Sequence, residues 1–171
     1  MRIISLLIPF LTTLGLLVLV SLPWGQTSSD GLAVAILPLI AVHFWSVRRP
    51  RRLPAPAVFL LGFLADVVGQ GPIGFWALLY LICHAVSMKV CEASGLRDGI
   101  GGWLACGFTI AIVAVFAWGI GSLFSLSWFD AGRFVAAAAL AIAVYPLAAV
   151  VLGWADRRGD ALPAGVLHRA G

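Results

Sequence analysis

Residues 59–81 read FLLGFLADVVGQGPIGFWALLYL, an apolar stretch that contains a single carboxylate, Asp66. In a helix, Gly62, Asp66 and Gln70 share one face, because side chains four residues apart lie above one another. The turn-forming residues 69–72 follow, and a second apolar run begins after them. A carboxylate is costly to bury in apolar surroundings, so Asp66 marks this predicted hairpin as the first place to look for a site.

The composition of the chain is strongly apolar. Of its 171 residues, 62% are hydrophobic and 11% are charged, and the mean hydropathy is +1.07. Soluble domains are about 45–50% apolar and about 25% charged. A soluble domain of this size could not bury so many apolar residues, because it must still present a solvated surface. The sequence therefore predicts an all-α integral membrane protein.

Six apolar runs divide the chain, and we predict that they form a compact bundle of six transmembrane helices. The runs are Ile3–Leu22, Gly31–Val47, Pro54–Val68, Gly74–Met88, Trp103–Leu123 and Ala131–Trp154. The first run is too long for a cleaved signal peptide and lacks a small-x-small cleavage site, so we interpret it as a retained span. Residues 89–102 are predicted to be a polar connector. Residues 1–155 then form a single six-helix transmembrane domain, and residues 156–171 a short cytoplasmic tail.

The third and fourth runs, within residues 54–88, are the shortest. Each has near fifteen residues, or about 22 Å if helical, against a hydrocarbon core of about 30 Å. A spanning hairpin and a re-entrant hairpin both remain open. The re-entrant form requires the turn at residues 69–72 to be covered by protein or water.

The basic residues are distributed unequally between the two sides of the predicted bundle. If the N-terminus is cytoplasmic, ten of the eleven basic residues lie on the cytoplasmic side and Arg133 alone on the other. This bias predicts that both termini are cytoplasmic. It also assigns the positive charge to loops facing cytoplasm and membrane lipid, with no nucleic acid partner. The main topology determinants are Arg48, Arg49, Arg51, Arg52, Arg157 and Arg158.

The expected partner of Asp66 lies on the following run. Counting along an antiparallel pair that turns near residue 71 puts Asp66 level with Trp76 and Ala77, with Tyr80 one turn deeper. We therefore predict that the indole N–H of Trp76 or the hydroxyl of Tyr80 donates to the carboxylate. No basic residue is available at that depth, so a structural or partner-docking role is favoured over an ion or proton site. The candidate binding and structural residues are Gly62, Asp66, Gln70, Trp76 and Tyr80.

The sequence contains no motif that indicates catalysis or a cofactor site. It contains no nucleophile motif, no phosphate-binding loop and no paired acids. His43 and His84 lack a third ligand, so we predict interfacial or hydrogen-bonded histidines and no metal site. The three cysteines fit no metal motif and are predicted to pack as small apolar side chains.

The order of short motifs along the chain resembles that of the MreD family, the rod shape-determining inner-membrane proteins of bacteria. The match covers most of the first ninety residues as motifs and the remainder as pattern only. The Ala-rich start of the sixth run, residues 136–143, departs from the family pattern. The matching motifs are Leu22-Pro23-Trp24, Leu37-Pro38, His43-Phe44-Trp45 with the following Arg/Pro cluster, Phe59-x-x-Gly62-x-x-x-Asp66, Gly71, Ile73-Gly74, Tyr80-Leu81, and Pro146 before the basic tail.

The resemblance implies a non-enzymatic subunit of the cell-elongation machinery, which inserts lateral peptidoglycan. Its implied partners are MreC, the RodA glycosyltransferase with its class B transpeptidase, and an MreB-linked assembly. The implied fold is similar to the substrate-binding subunits of energy-coupling-factor vitamin transporters.

Two other functions remain open. A vitamin-binding subunit needs convergent polar groups in an outward-facing cavity, and the sequence offers only Asp66, Gln70 and residues 26–30. A small proton-coupled transporter needs a relay of titratable groups, of which Asp66 is the single candidate.

Overall fold

The computed structural model describes residues 2–21, 31–69, 72–95, 99–125 and 130–161, and the regular structure within these ranges is α-helical. All six predicted apolar runs form helices. The helices are α1 (Arg2–Ser21), α2 (Gly31–Arg48), α3 (Ala55–Gly69), α4 (Phe75–Ser94), α5 (Gly99–Ser125) and α6 (Ala131–Ala161).

The predicted polar connector at residues 89–102 is wrong for most of its length. Helix α4 continues to Ser94, and α5 begins at Gly99. The polar residues are compatible with a helix because Lys and Glu have favourable helix propensities. Lys89 and Glu92, one turn apart, also form an exposed ion pair of 3.0 Å. It ends at Gly95, whose φ of 67° is left-handed and whose N–H bonds the Cys91 carbonyl at 2.9 Å.

Three of the described helices are long and apolar enough to cross a membrane. They contain the segments Phe75–Ser94, Gly99–Phe124 and Ala131–Arg158, while α1, α2 and α3 contribute the shorter apolar segments Leu7–Ser21, Ile36–Arg48 and Ala55–Gly69. The hairpin of α3 and α4 is therefore unequal. Helix α4 has 20 residues, more than the sequence suggests, and α3 has 15.

Contacting residues give the relative directions of the even-numbered helices. Between α2 and α4 the pairs are Leu39 with Cys83 and His43 with Ser87. Towards α6 they are His43 with Tyr145, and Arg49, one residue after α2, with Asp156. In each case residue numbers rise together along both helices, so α2, α4 and α6 run parallel. Helix α2 is central, since it packs against α1, α4, α5 and α6.

The bundle has two chemically different ends. We call the end where α2, α4 and α6 finish the basic end, because most of the described basic side chains lie there: Arg48, Arg49, Arg51, Arg52, Lys89, Arg157 and Arg158. We call the opposite end, where these helices begin, the cavity end. Arg133 is the basic residue that the described part of the chain places there.

A contact between α5 and α6 compensates for a proline. Pro146 lies inside α6 and has no N–H, so the carbonyl of Ile142, four residues earlier, loses its helical partner. The indole Nε1–H of Trp103 donates to that carbonyl at 2.9 Å. An α5 side chain thus replaces the hydrogen bond that the α6 backbone cannot make, and ties the two helices together.

We expect Trp103→Phe to lower the free energy of unfolding by about 1–3 kcal/mol, because the Ile142 carbonyl would be left without a donor. The loss should shrink in a Pro146→Ala background, since the restored amide can bond the same carbonyl. Unfolding by sodium dodecyl sulfate in mixed micelles, measured for both single variants and the double variant, tests this coupling. An equal cost of Trp103→Phe in both backgrounds would show that the indole bond does not compensate for the proline.

Candidate functional site

The Asp66 carboxylate lies at the start of α4 and is 1% exposed. Its Oδ2 accepts the backbone N–H of Gly74 at 2.8 Å and of Ala77 at 3.3 Å, and its Oδ1 accepts that of Trp76 at 2.7 Å. The first amides of a helix have no intrahelical acceptor. A side chain of α3 therefore caps α4 from across the hairpin.

The amides at the start of α4 are all bonded. Those of Gly74, Trp76 and Ala77 bond Asp66, the amide of Phe75 bonds the Pro72 carbonyl at 3.1 Å, and Leu78 makes the first helical bond to Gly74 at 2.9 Å. The partial positive charge of the helix N-terminus faces the carboxylate. The Asp66 side chain thus finds its hydrogen-bond donors in backbone amides and not in a basic residue.

The predicted donors to Asp66 are wrong. The donor from Trp76 is its backbone N–H and not its indole, and the Tyr80 hydroxyl is buried without a hydrogen-bond partner in the described part of the chain. The prediction compared only the heights of side chains along the two helices. The turn instead brings the first backbone amides of α4, which have no partner within that helix, against the Asp66 side chain on α3. Gln70 lies outside the described residues.

Gly62 and Asp66 share the face of α3 that contacts α4, as the four-residue spacing predicts. A Cβ atom on Gly62 would lie 2.5 Å from the Cα of Ala77 and 2.9 Å from both the Ala77 nitrogen and the Trp76 oxygen. These atoms belong to the α4 backbone and cannot rotate away. Gly62 therefore allows the close approach that brings Asp66 within reach of the α4 amides.

A second polar cluster joins α2 and α4 nearer the basic end. Nδ1 of His43 lies 2.9 Å from Oγ of Ser87, and Nδ1 of His84 lies 2.7 Å from Oγ of Ser46. Each serine hydroxyl also lies 2.6 Å from a carbonyl of its own helix, four residues earlier. Since each hydroxyl has one proton to donate, we assign the Nδ1–H form to both neutral rings, each donating to the serine oxygen.

The interpretation of His43 and His84 as hydrogen-bonded histidines is confirmed. The His43 ring also contacts the ring of Tyr145 edge-on at 5.8 Å, so it packs between α2, α4 and α6. Among the described residues, no three histidine, cysteine or acidic side chains come together as metal ligands.

Asp156 lies at the basic end and is 7% exposed. Its Oδ1 is 3.2 Å from Nε of Arg49 and 3.6 Å from Nη1 of Arg52. Helix α6 thus continues past the sequence-based boundary at residue 155, and Asp156 links it to the segment after α2. Of the other topology determinants, Arg158 stacks on Trp154 at 3.8 Å and Arg48 on Phe44 at 5.0 Å, while Arg51 and Arg157 are exposed.

A cavity of about 450 Å³ lies at the cavity end, between α2, α4, α5 and α6. Its walls are mainly aliphatic and aromatic, and include Leu39, Phe75 and Ile110. The charged residues among its described lining are Asp130 and Arg133, both at the start of α6. The volume is within the range of small-molecule sites.

Sequence reasoning missed the cavity and its two charged residues. The available signal was Arg133, the single basic residue assigned to that side of the membrane. Asp66 does not line the cavity, so the two features are separate.

Comparisons with protein-family models, with curated proteins and with solved structures found no match to this chain.

Proposed function

We propose that the chain is a multi-pass protein of the bacterial inner membrane, with six crossings and both termini in the cytoplasm. Three long apolar helices support a membrane location. The gathering of arginines at one end of the bundle supports the orientation, because basic residues are retained on the cytoplasmic side.

Reporter fusions test this topology. Fusions after Asp30 and Asp130 are expected to report the periplasm, and fusions after Arg51, Asp98 and Gly171 the cytoplasm, because of the basic bias. A fusion within the Arg48–Arg52 cluster should be the strongest cytoplasmic signal. A cytoplasmic signal after Asp130 would contradict six crossings.

We propose further that the chain acts as an MreD-like, non-enzymatic subunit of the cell-elongation machinery, binding MreC and regulating the RodA glycosyltransferase with its transpeptidase. The observation that supports this proposal is that three residues of the motifs, Gly62, Asp66 and Gly74, lie together in the structure. They form one tight hairpin whose polar groups bond each other. Such a unit supports a scaffold that presents a fixed surface, rather than a reactive centre that holds groups available for substrate.

Depletion of the protein in its host cell tests the proposal. We expect the cells to round, and we expect MreC to co-purify with the wild-type protein from membranes. Re-expression of wild-type protein should restore rods, and so should Gly119→Ala, because a Cβ there meets nothing within 4 Å. Cells that stay rod-shaped on depletion would contradict the proposal.

A second candidate function, the vitamin-binding subunit of an energy-coupling-factor transporter, is favoured by the cavity alone. Its apolar walls and two charged residues supply few of the placed donors and acceptors that a polar vitamin requires. Proton-coupled transport is less supported, because three backbone amides hold Asp66 outside the cavity lining. Vitamin uptake measured in the same depleted cells separates these functions: a specific loss of uptake with normal shape would favour the transporter.

A further inference from the structure

The cavity adjoins a second apolar depression on the outer face of α5 and α6. This groove has a volume of about 390 Å³ and is lined by apolar residues, among them Val115, Trp118 and Val135. Ala114 and Phe134 line both the cavity and the groove. Two apolar spaces are therefore separated by a wall of two side chains, and both reach the start of α6.

The dimensions of the two spaces suit hydrocarbon chains. The cavity lining on α5 extends from Ile110 to Phe124, or about 21 Å at 1.5 Å per residue. Among the described residues, the charged side chains that line the cavity lie at the start of α6. An apolar space of this kind does not hold ordered water, because water needs polar partners.

The charged residues at the start of α6 carry opposite signs. Arg133 is exposed, and its side chain makes no ion pair with the described residues. Oδ1 of Asp130 accepts the Gly132 N–H at 2.9 Å, which leaves Oδ2 available. A headgroup that contains both a phosphate and an ammonium would match both side chains, whereas a purely anionic headgroup would face the Asp130 carboxylate.

We propose that this region binds one diacyl phospholipid with a zwitterionic aminoalcohol headgroup, one chain in the cavity and the other in the groove. Arg133 bonds the phosphate, Asp130 bonds the ammonium, and Phe134 lies between the two chains. The inference depends on the membrane location of the bundle and is independent of the cell-shape function.

Native mass spectrometry of the detergent-purified full chain, titrated with phosphatidylethanolamine or phosphatidylglycerol of identical chains, tests the proposal. We expect phosphatidylethanolamine to bind more tightly, and Arg133→Gln to weaken its binding about tenfold or more through loss of a charge-assisted bond. Asp130→Asn, which keeps a good helix N-cap, should abolish the preference between the two lipids. The matched control is Arg157→Gln, an exposed arginine at the basic end, which should change neither affinity.

A variant in the cavity lining tests chain insertion separately. Ala117 is 3% exposed and lines the cavity but not the groove, so Ala117→Phe should fill the space and lower lipid binding. If that variant fails to fold, the exposed Arg133 and Asp130 variants still decide the outcome. Equal binding of the two lipids by the wild-type protein, tighter binding of phosphatidylglycerol, or binding unaffected by Arg133→Gln would each overturn the proposal.

Discussion

Gly62→Ala is expected to lower the free energy of unfolding by about 3 kcal/mol, the upper end of the usual range for overpacking. The added methyl would lie 2.5 Å from the Cα of Ala77, so the backbones of α3 and α4 must separate. That separation also lengthens the bonds from Asp66 to the α4 amides. Unfolding by sodium dodecyl sulfate in mixed micelles measures the loss, and the amount of protein in the membrane should fall with it.

Gly119→Ala is the matched control for this prediction. Gly119 lies inside α5, and a Cβ there meets nothing within 4 Å. Alanine has the higher helix propensity, by about 1 kcal/mol, so this change should be neutral or stabilising. If Gly62→Ala and Gly119→Ala behaved alike, the close approach of α3 to α4 would not contribute to stability.

Asp66→Leu is expected to destabilise the protein by about 3 kcal/mol or more, because each buried amide left without an acceptor costs about 1–3 kcal/mol. The amides of Gly74, Trp76 and Ala77 would all lose their partner. The same unfolding measurement tests this, together with co-purification of MreC. Unchanged stability would refute the cap.

Asp66→Asn provides a sharper comparison. From the sequence alone, asparagine looks like a fair replacement, because it keeps the shape and one acceptor oxygen. In the structure both carboxylate oxygens accept, so the asparagine NH₂ group would face at least one backbone N–H. We therefore expect the free energy of unfolding of Asp66→Asn to lie between those of the wild type and Asp66→Leu. A wild-type level of stability with loss of function would instead indicate a titrating site.

The helices were predictable from the sequence, because six apolar runs separated by charges and turn residues leave few alternatives. The pairing of Gly62 with Asp66 on one face followed from their four-residue spacing. The donors to Asp66 could not be predicted in the same way. Aligning side chains along two helices takes no account of the backbone amides at the start of α4 that have no acceptor within that helix. Those amides are common to every helix N-terminus, and only the path of the turn decides which side chain reaches them.

The ends of α4 and α6 and the cavity were harder to predict. Polar residues such as Lys89 and Asp156 resemble loop residues in sequence, yet both lie on helices. Lys89 pairs with Glu92 one turn away, whereas Asp156 pairs with the distant Arg49. The cavity arises where small side chains such as Ala114 and Ala117 face α2 and α4 across the bundle. That arrangement depends on how the helices are rotated, which hydropathy does not encode.

The cap between Asp66 and α4 has a consequence for membrane insertion. Helix α3 is short, at 15 residues, and carries an aspartate whose cost can reach about 2.5–3.5 kcal/mol at the centre of an isolated span. Helix α4 supplies the amides that offset this cost, and its own first turn needs the carboxylate. Helix α3 is thus a poor candidate for entering the bilayer alone. The translocon is expected to release α3 and α4 together, as one hairpin that reaches the lipid with its polar groups already paired.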